Sequence, residues 1–152
     1  MPTVTFDSNE GIDVESIKVN DGGTISDLPI PTKDNHFFAG WYKDSEFTER
    51  FTSSTIINED ITVYAKWITN PTAEINDINY ETLTLAVKDV PKDDIETVVK
   101  LLKNTTESIS VEEGQNIKFN LQDYTLNNTT TNVISNKGTI KIYNGIVECS
   151  AG

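Results

Sequence analysis

The sequence HFFAGWY at residues 36–42 decides the fold expected for the first half of the chain, with YAKW at residues 64–67 as its partner. Residues 36–42 alternate as a strand does, but aromatic side chains fall on both faces, so the period of two does not show which face is buried. Gly40 in the middle of this strand predicts a bulge or a close backbone approach. Residues 61–67 alternate more cleanly and predict a half-buried strand that closes the unit.

The neighbouring segments predict supporting elements. Residues 3–7 and 14–19 alternate between apolar and polar side chains and are followed by turn residues, which predicts a β-hairpin. Residues 24–29 allow one short helical turn, because the prolines at 29 and 31 stop a longer helix. Residues 43–58 are polar with a few apolar positions, and they predict a long loop that contacts the core at a few points.

Five motifs in this order carry a resemblance to a known family: VTFDSN at 4–9, GG at 22–23, PTK at 31–33, FAGWY at 38–42 and ITVYAKW at 61–67. Over residues 2–67 they resemble the Listeria–Bacteroides repeat, also called the internalin B-repeat. The resemblance implies a small β-grasp-like (ubiquitin-like) module at residues 1–68. Such modules occur in tandem in bacterial surface and secreted proteins, as spacers or binding units. Two departures, Glu10 at a usual glycine position and His36 at a common tyrosine position, leave the aromatic pattern intact.

The pattern changes after residues 69–72, a short polar segment with Pro71 that we interpret as a linker. Apolar residues then recur at helical spacing: Tyr80, Leu83, Ala86, Val87 and Val90. Asn79 is the expected N-cap of this helix, and Pro91 ends it. Short apolar runs follow at intervals up to residue 149 and predict a series of short strands.

The short strands contain an internal repeat. IKFNL at 117–121 and YTL at 124–126 return as IKIYN at 140–144 and GIV at 145–147, an offset of 21 to 23 residues that is typical of a solenoid coil. Residues 73–152 are similar to the helix-capped N-terminal portion of a right-handed parallel β-helix of the pectin-lyase-like surface proteins. The expected fold class is mainly β, a β-grasp-like module followed by this β-helix. Because two coils are few for a repeat protein, we expect the chain to be a piece of a longer one.

Charge and cysteine content limit the partners. The chain has 24 acidic and 12 basic residues, a formal charge of -12, which repels phosphate backbones and anionic lipids, so neither nucleic acid nor a membrane surface is expected as a partner. No apolar run is long enough to span a membrane. Cys149 is the only cysteine, which excludes an intramolecular disulfide and a Cys-rich zinc site, and we interpret it as a small core residue. No cofactor is expected.

The chain contains residue types that can act in catalysis, but their spacing in the sequence matches no catalytic or metal-binding motif. His36 is the only histidine and lies in an aromatic strand, where a packed or surface imidazole is expected rather than a base. Three acidic residues after the helix lack EF-hand spacing and are interpreted as a solvated loop: Asp93, Asp94 and Glu96. On the predicted coils, where the resemblance would place catalytic acids, only Asp123 and Glu148 occur, and this pair supports no catalytic role.

The aromatic residues of the first half are the candidate binding residues. Exposed rings stack on sugars and anchor protein partners, although a domain of this size must bury most of its large side chains. A mainly structural role is therefore expected for the larger set: Trp41, Tyr42, Tyr64 and Trp67. Phe37, Trp41 and Tyr42 are the residues predicted to meet a ligand, and the expected partner is a protein or glycan on a host or neighbouring cell surface.

These features predict a non-catalytic module of a bacterial cell-surface or secreted protein, extracellular or attached to the cell wall, that acts in adhesion or as a structural spacer. The alternative is the N-terminal part of a carbohydrate-active enzyme, a polysaccharide lyase or hydrolase whose acidic residues lie on coils outside this chain. The sequence predicts neither a catalytic residue nor a metal site.

Overall fold

The chain is mainly β and folds into two compact units. A computed structural model describes residues 1–129 and 132–149, and the units are Met1–Thr69 and Asn70–Gly152. The first unit holds five strands: β1 (Thr3–Asp7), β2 (Ile17–Lys18), β3 (Phe37–Tyr42), β4 (Arg50–Phe51) and β5 (Ile61–Ile68).

The described residues of the second unit hold one helix, α1 (Leu83–Asp89), and ten strands. In chain order the strands are β6 (Ala73–Ile75), β7 (Ile78–Tyr80), β8 (Glu96–Leu101), β9 (Thr105–Thr106), β10 (Ile109–Val111), β11 (Asn116–Asn120), β12 (Thr125–Asn128), β13 (Ile134–Asn136), β14 (Thr139–Tyr143) and β15 (Ile146–Cys149).

The five strands of the first unit form one sheet in the order β2-β1-β5-β3-β4. β1 and β5 run parallel in its centre, with Val4 opposite Ile61, whereas the other neighbours are antiparallel. Both central strands place small or β-branched residues in the core, and Val4, Val63 and Ala65 are fully buried. The predicted hairpin and the predicted closing strand are confirmed.

A bulge at Gly40 brings two aromatic residues of β3 onto the same face. The pairing of β3 with β5 shifts register between Phe38 and Trp41, and Gly40 adopts a φ of 109°, a value that favours glycine. Residues three apart on a regular strand point to opposite faces. The shift brings Phe38 and Trp41 together, with ring centroids 5.4 Å apart, and Phe6 meets the indole at 4.8 Å. The predicted bulge is confirmed, and it makes both rings part of the core.

No helical turn forms at residues 24–29, where the sequence predicts one. Ile25 in this segment is buried, and the Pro29 carbonyl accepts a hydrogen bond of 2.8 Å from Trp41 Nε1. A buried indole N–H needs such an acceptor. Packing against the core therefore decides the path of this segment.

The second unit is built from successive segments whose strands stack in parallel. β8, β11 and β14 are neighbours in one sheet, β9, β12 and β15 in a second, and β10 and β13 in a third. Every pairing within these sets is parallel. Ile117 lies opposite Ile140 and Thr125 opposite Ile146, which confirms the predicted offset of 21 to 23 residues.

Apolar side chains from these sheets and from α1 meet in one core. Its members with 1% exposure or less are Ala73, Leu83, Ala86, Val99, Leu101, Val111, Ile117, Phe119, Leu121 and Leu126. Burial falls in β15, where all four residues are exposed. The prediction that Cys149 is a core residue is wrong, because within the described residues β15 has a paired neighbour on one side only, β12.

Helix α1 begins later than its apolar spacing predicts. Asn79, the predicted N-cap, lies in β7 together with Tyr80, and the pairing of β7 with β6 places Tyr80 opposite Ala73. Thr82 is the N-cap, and its side chain accepts a hydrogen bond of 3.1 Å from the backbone of the first helical turn. Strand pairing therefore occupies the residues that periodicity assigns to the start of the helix.

Two residues of the predicted linker pack within the second unit. Pro71 and Thr72 are buried. Thr72 N–H donates to the Tyr80 carbonyl, and the Thr72 carbonyl accepts from Leu102 N–H, each at 2.8 Å. Both backbone polar groups of Thr72 are therefore hydrogen-bonded, as those of a paired strand residue are.

Candidate functional site

The three sequence-predicted binding residues differ in exposure. Trp41 is 1% exposed and Tyr42 is 8% exposed, whereas Phe37 is 45% exposed. The rings of Trp41 and Tyr42 therefore offer little surface to a ligand, and of this set Phe37 alone presents a ring to solvent. The assignment of a ligand to these residues stays a prediction.

Other side chains surround the ring of Tyr42. The Arg50 guanidinium carbon lies 5.4 Å from the ring centroid and the Lys66 ammonium 5.8 Å from it. Phe47 meets the ring edge-on, with centroids 5.5 Å apart. Cations are attracted to the negative face of an aromatic ring. Tyr42 is therefore an internal anchor for its neighbours.

An open cleft lies in the first unit where several chain segments meet. We call it the Trp67 cleft, and its lining residues are Asn9, Glu10, Lys33, His36, Ser45, Phe47, Ala65 and Trp67. Its volume is about 490 Å³, within the range of roughly 300–1,000 Å³ that is usual for small-molecule sites. The cleft joins the side chains of Phe47 and Trp67 to five polar or charged ones, so it offers both stacking surfaces and hydrogen-bonding groups.

Trp67 has a fixed position in this cleft. Its Nε1 donates a hydrogen bond of 2.8 Å to the Ser8 carbonyl, and its ring lies 5.7 Å from that of Phe38. Gly11 approaches so closely that a Cβ there would lie 2.5 Å from Cζ2 of the indole. Any larger residue at position 11 would displace the ring. The part of the half-buried indole that stays exposed is therefore held in one orientation.

A charged pair lines the cleft beside the aromatic residues. Lys33 Nζ lies 3.3 Å from a Glu10 carboxylate oxygen and donates a hydrogen bond of 3.1 Å to the Asn9 carbonyl. The side chain of Lys33 is 20% exposed, whereas that of Glu10 is 90% exposed. Asn9 Nδ2 donates in turn to the Ala65 carbonyl at 2.7 Å. The cleft therefore presents an ammonium and a carboxylate whose charges cancel.

Asp44 holds the loop that carries Phe47. Its carboxylate accepts hydrogen bonds from the backbone N–H groups of Glu46, Thr48 and Glu49. These bonds, above all the one from Glu49, hold the pKa of Asp44 below its ordinary value, although desolvation of the carboxyl acts in the opposite direction. The loop is thus fixed by its own acidic residue.

Left-handed backbone occurs in and beside the cleft, as it does at turns of the second unit. Four residues here have positive φ: Asn9 (47°), Glu10 (67°), Asn35 (58°) and Phe47 (59°). Asparagine tolerates this region, whereas a bulky residue such as Phe47 is an outlier that costs about 1–2 kcal/mol. Strain of this kind persists only where the surrounding structure holds it, and it is a pointer to function.

The remaining candidates are one residue of the cleft, His36, and five acidic residues outside its lining. His36 is half-buried at the cleft, with Nδ1 2.8 Å from the Asp34 carbonyl oxygen. The predicted solvated loop and coil acids are exposed, namely Asp93, Asp94, Glu96, Asp123 and Glu148, and Glu96 pairs with Lys141. Among residues 1–129 and 132–149, no group of three or more His, Cys, Asp or Glu is placed to hold a metal ion. No helix in the described part of the chain is long and apolar enough to cross a membrane.

Sequence reasoning did not single out three lining residues of the cleft: Lys33, Ser45 and Phe47. Ser45 and Phe47 lie in a polar loop without periodicity, and Lys33 lies in the PTK motif at 31–33, which is the one signal that pointed towards it.

Comparison with known families agrees with the motif pattern of the first half. Residues 3–66 match the Listeria-Bacteroides repeat domain. The repeat includes β1 to β4, nearly all of β5, and every lining residue of the cleft except Trp67. The match ends before the second unit, so the likeness of residues 73–152 to a pectin-lyase-like β-helix stays a prediction.

Two proteins of Evansella cellulosilytica are similar to this chain. One bears the name of a membrane protein and is 41% identical over 70 residues, and the other bears that of a Gly-rich membrane protein and is 39% identical over 69 residues. Each alignment covers 45% of this chain but only 10% and 8% of the two relatives. No solved structure matches the chain significantly. The repeat and these relatives are consistent with a surface-associated repeat module of a bacterial protein.

Proposed function

We propose that this chain is a non-catalytic module of a bacterial cell-surface or secreted protein that acts in adhesion or as a structural spacer. The observation that carries the proposal is the match of residues 3–66 to the Listeria-Bacteroides repeat domain. The membrane names of the two relatives support a position at the cell envelope. An extracellular or cell-wall-attached location belongs to the same proposal.

The proposed folds are a β-grasp-like first unit and a helix-capped parallel β-helix in the second. Support for the first comes from the sheet order, with parallel β1 and β5 at its centre. Support for the second comes from three sets of parallel strands and from α1, whose residues Leu83, Ala86 and Val87 are buried in the same core. In stacks of this kind each segment contacts mainly its neighbours, so segments can be added without a new core. That property suits a spacer.

The first unit supports the adhesive role. It carries the Trp67 cleft and the exposed ring of Phe37, and aromatic side chains are frequent at binding sites. The proposed partner is a protein or glycan on a host or neighbouring cell surface. The formal charge of -12 keeps the surface soluble and disfavours anionic partners.

Retention under flow tests the adhesive role. Beads coated with the chain should be held on layers of bacterial or epithelial cells, whereas beads coated with an unrelated protein of equal net charge should pass. If both kinds of bead pass equally, the adhesive role is contradicted and the spacer role remains.

Incubation with polysaccharides tests the enzymatic alternative. The parallel pairing of β11 with β14 at solenoid spacing favours a relation to lyases and hydrolases whose active site would lie on coils outside this chain. We expect the purified chain to leave a panel of polysaccharides intact. Cleavage that is lost in Asp123→Asn or Glu148→Gln would overturn the non-catalytic proposal.

A further inference from the structure

We propose that the Trp67 cleft binds an uncharged pyranose unit of a glycan. The inference rests on the proposed adhesive function and names its ligand class. It assigns the aromatic contacts to Trp67 and Phe47, rather than to Trp41 and Tyr42, whose rings are buried.

Two aromatic rings line the cleft, those of Trp67 and Phe47. A pyranose carries C–H groups on its faces and hydroxyls around its edge, so it can stack on an aromatic ring while its hydroxyls form hydrogen bonds. Trp67 is held at Nε1 by the Ser8 carbonyl, and Phe47 is held edge-on against Tyr42. Both rings are half-buried, which leaves each of them a fixed and partly exposed surface.

The polar part of the cleft favours an uncharged sugar. Lys33 and Glu10 supply donors and acceptors within 3.3 Å of each other, and hydroxyl groups can bond to both. Lys33 is already paired with Glu10, so its ammonium is less available to the carboxylate of a uronic acid or of a peptide. The net charge of -12 further opposes acidic ligands.

The cleft is ordered before a ligand arrives. Asp44 fixes the loop of Phe47 through backbone hydrogen bonds, and Asn9 joins its turn to β5 through the Ala65 carbonyl. Phe47 keeps its left-handed backbone within this frame. A site whose walls are already in place loses less conformational entropy when it binds, which offsets the small contact area of one sugar ring.

Titration with oligosaccharides, followed by NMR of the indole N–H signals, tests the proposal. The probes are cellotetraose, mannotetraose and chitotetraose, which are uncharged, and tetragalacturonate, which is acidic. We expect at least one uncharged probe to shift the Trp67 signal with a Kd on the order of 1 mM, because the cleft is open and holds one ring. The signal of Trp41 should stay in place, because that indole is 1% exposed. The probe that binds identifies a cellulose-type, mannan-type or N-acetylated source.

Matched variants locate the binding site. Phe47→Ala should weaken binding about tenfold, whereas Ile56→Ala, which removes a large apolar side chain from an exposed position of the same unit outside the cleft lining, should leave the affinity within about twofold. Glu10→Gln should weaken binding about threefold, since a charged acceptor becomes a neutral one. The Glu10 side chain is 90% exposed, so this variant tests the site even if Phe47→Ala does not fold.

Three results would overturn the proposal: no shift of the Trp67 signal with any uncharged probe, tighter binding of tetragalacturonate, or an affinity unchanged in Glu10→Gln and in folded Phe47→Ala. The bead assay keeps the two proposals apart. If the beads are retained on cells but no probe binds, the sugar site is contradicted and adhesion is not. If the beads pass but a probe binds, adhesion to those cells is contradicted and the sugar site is not.

Discussion

At the scale of single residues, Glu107 supplies the negative charge that the first turn of helix α1 lacks. The first turn of α1 contains no acidic residue. Glu107 comes from a different segment and accepts hydrogen bonds of 3.0 Å from the N–H groups of Leu83 and Thr84, and the Thr105 hydroxyl donates to the same carboxylate. These bonds satisfy two of the N–H groups that a helix start leaves without partners and complement the helix dipole.

Glu107→Ala is expected to lower the free energy of unfolding of the second unit by about 1–2 kcal/mol, because two backbone N–H groups lose their acceptor. Urea denaturation followed by circular dichroism measures the change. Glu113→Ala, which removes an exposed carboxylate, is the control and should cost less than about 0.5 kcal/mol. Equal losses in the two variants would contradict the role of Glu107.

The contribution of Glu107 should depend on pH with a definite sign. Burial raises the pKa of its carboxyl, but the hydrogen bonds from Thr84, Thr105 and Leu83 together outweigh burial and hold the pKa below the ordinary value of 4.5. The stabilisation is therefore fully present above pH 4.5 and is lost as the pH falls through the folded-state pKa. We expect the stability difference between the natural chain and Glu107→Gln to shrink as the solution is acidified below pH 4.5. A difference that does not change with pH would show that the carboxylate charge is not involved.

At the scale of elements, the end of α1 is joined to the strand stack by a buried side chain. Gln115 is 2% exposed, and its Nε2 donates to the carbonyls of Val87 and Val90 at 2.8 and 2.9 Å. Its Oε1 accepts from Glu112 N–H at 2.9 Å. The Val87 carbonyl also accepts a hydrogen bond of 3.2 Å from Val90 N–H, so Gln115 adds a second donor there and supplies a donor to the carbonyl of the C-cap residue Val90.

Gln115→Met keeps the size of the side chain and removes its hydrogen bonds, and we expect it to lower the free energy of unfolding of the second unit by about 2–3 kcal/mol. Gln122→Met is the matched control. Gln122 is exposed and donates to the Leu101 carbonyl, so its replacement should cost less than about 1 kcal/mol. Thermal unfolding followed by circular dichroism compares the two, and a smaller loss for Gln115→Met than for Gln122→Met would contradict the capping role.

At the scale of the whole molecule, each compact unit has its own core. The sheet of the first unit is complete within Met1–Thr69, and β5 at its centre pairs with both β1 and β3. Both tryptophans, Trp41 and Trp67, lie in this unit, whereas α1 lies in the second. Tryptophan fluorescence and helical circular dichroism therefore report on different units.

Residues 1–69 made alone are expected to fold and to unfold cooperatively in urea, with the fluorescence transition of the full chain, because their sheet and core need no other strand. Residues 1–58 are the control. They lack β5, so the remaining strands lose their common neighbour and should stay unfolded. A fragment 1–69 that unfolds without a cooperative transition would contradict an independent core.

The local backbone was largely predictable from the sequence, whereas the candidate site was not. Alternation located β1, β3 and β5, and Gly40 indicated the bulge, because both signals come from neighbouring residues. The apolar spacing places the helix start too early, since the spacing of Tyr80 with Leu83 cannot show that β7 pairs with β6. The sequence predicts that Trp41 meets a ligand, although the register shift at Gly40 turns its ring into the core.

The sequence by itself determined the mainly β class, the family of residues 3–66 and the repeat offset of the second half, because each depends on patterns within one stretch of chain or on their recurrence. Only the tertiary structure decided which aromatic rings are buried, that Glu107 caps a helix 24 residues away, and that Lys33, Phe47 and Trp67 line one cleft. These contacts join residues that are distant in the chain. Their physical cause is the order and register of the strands, which local periodicity does not specify.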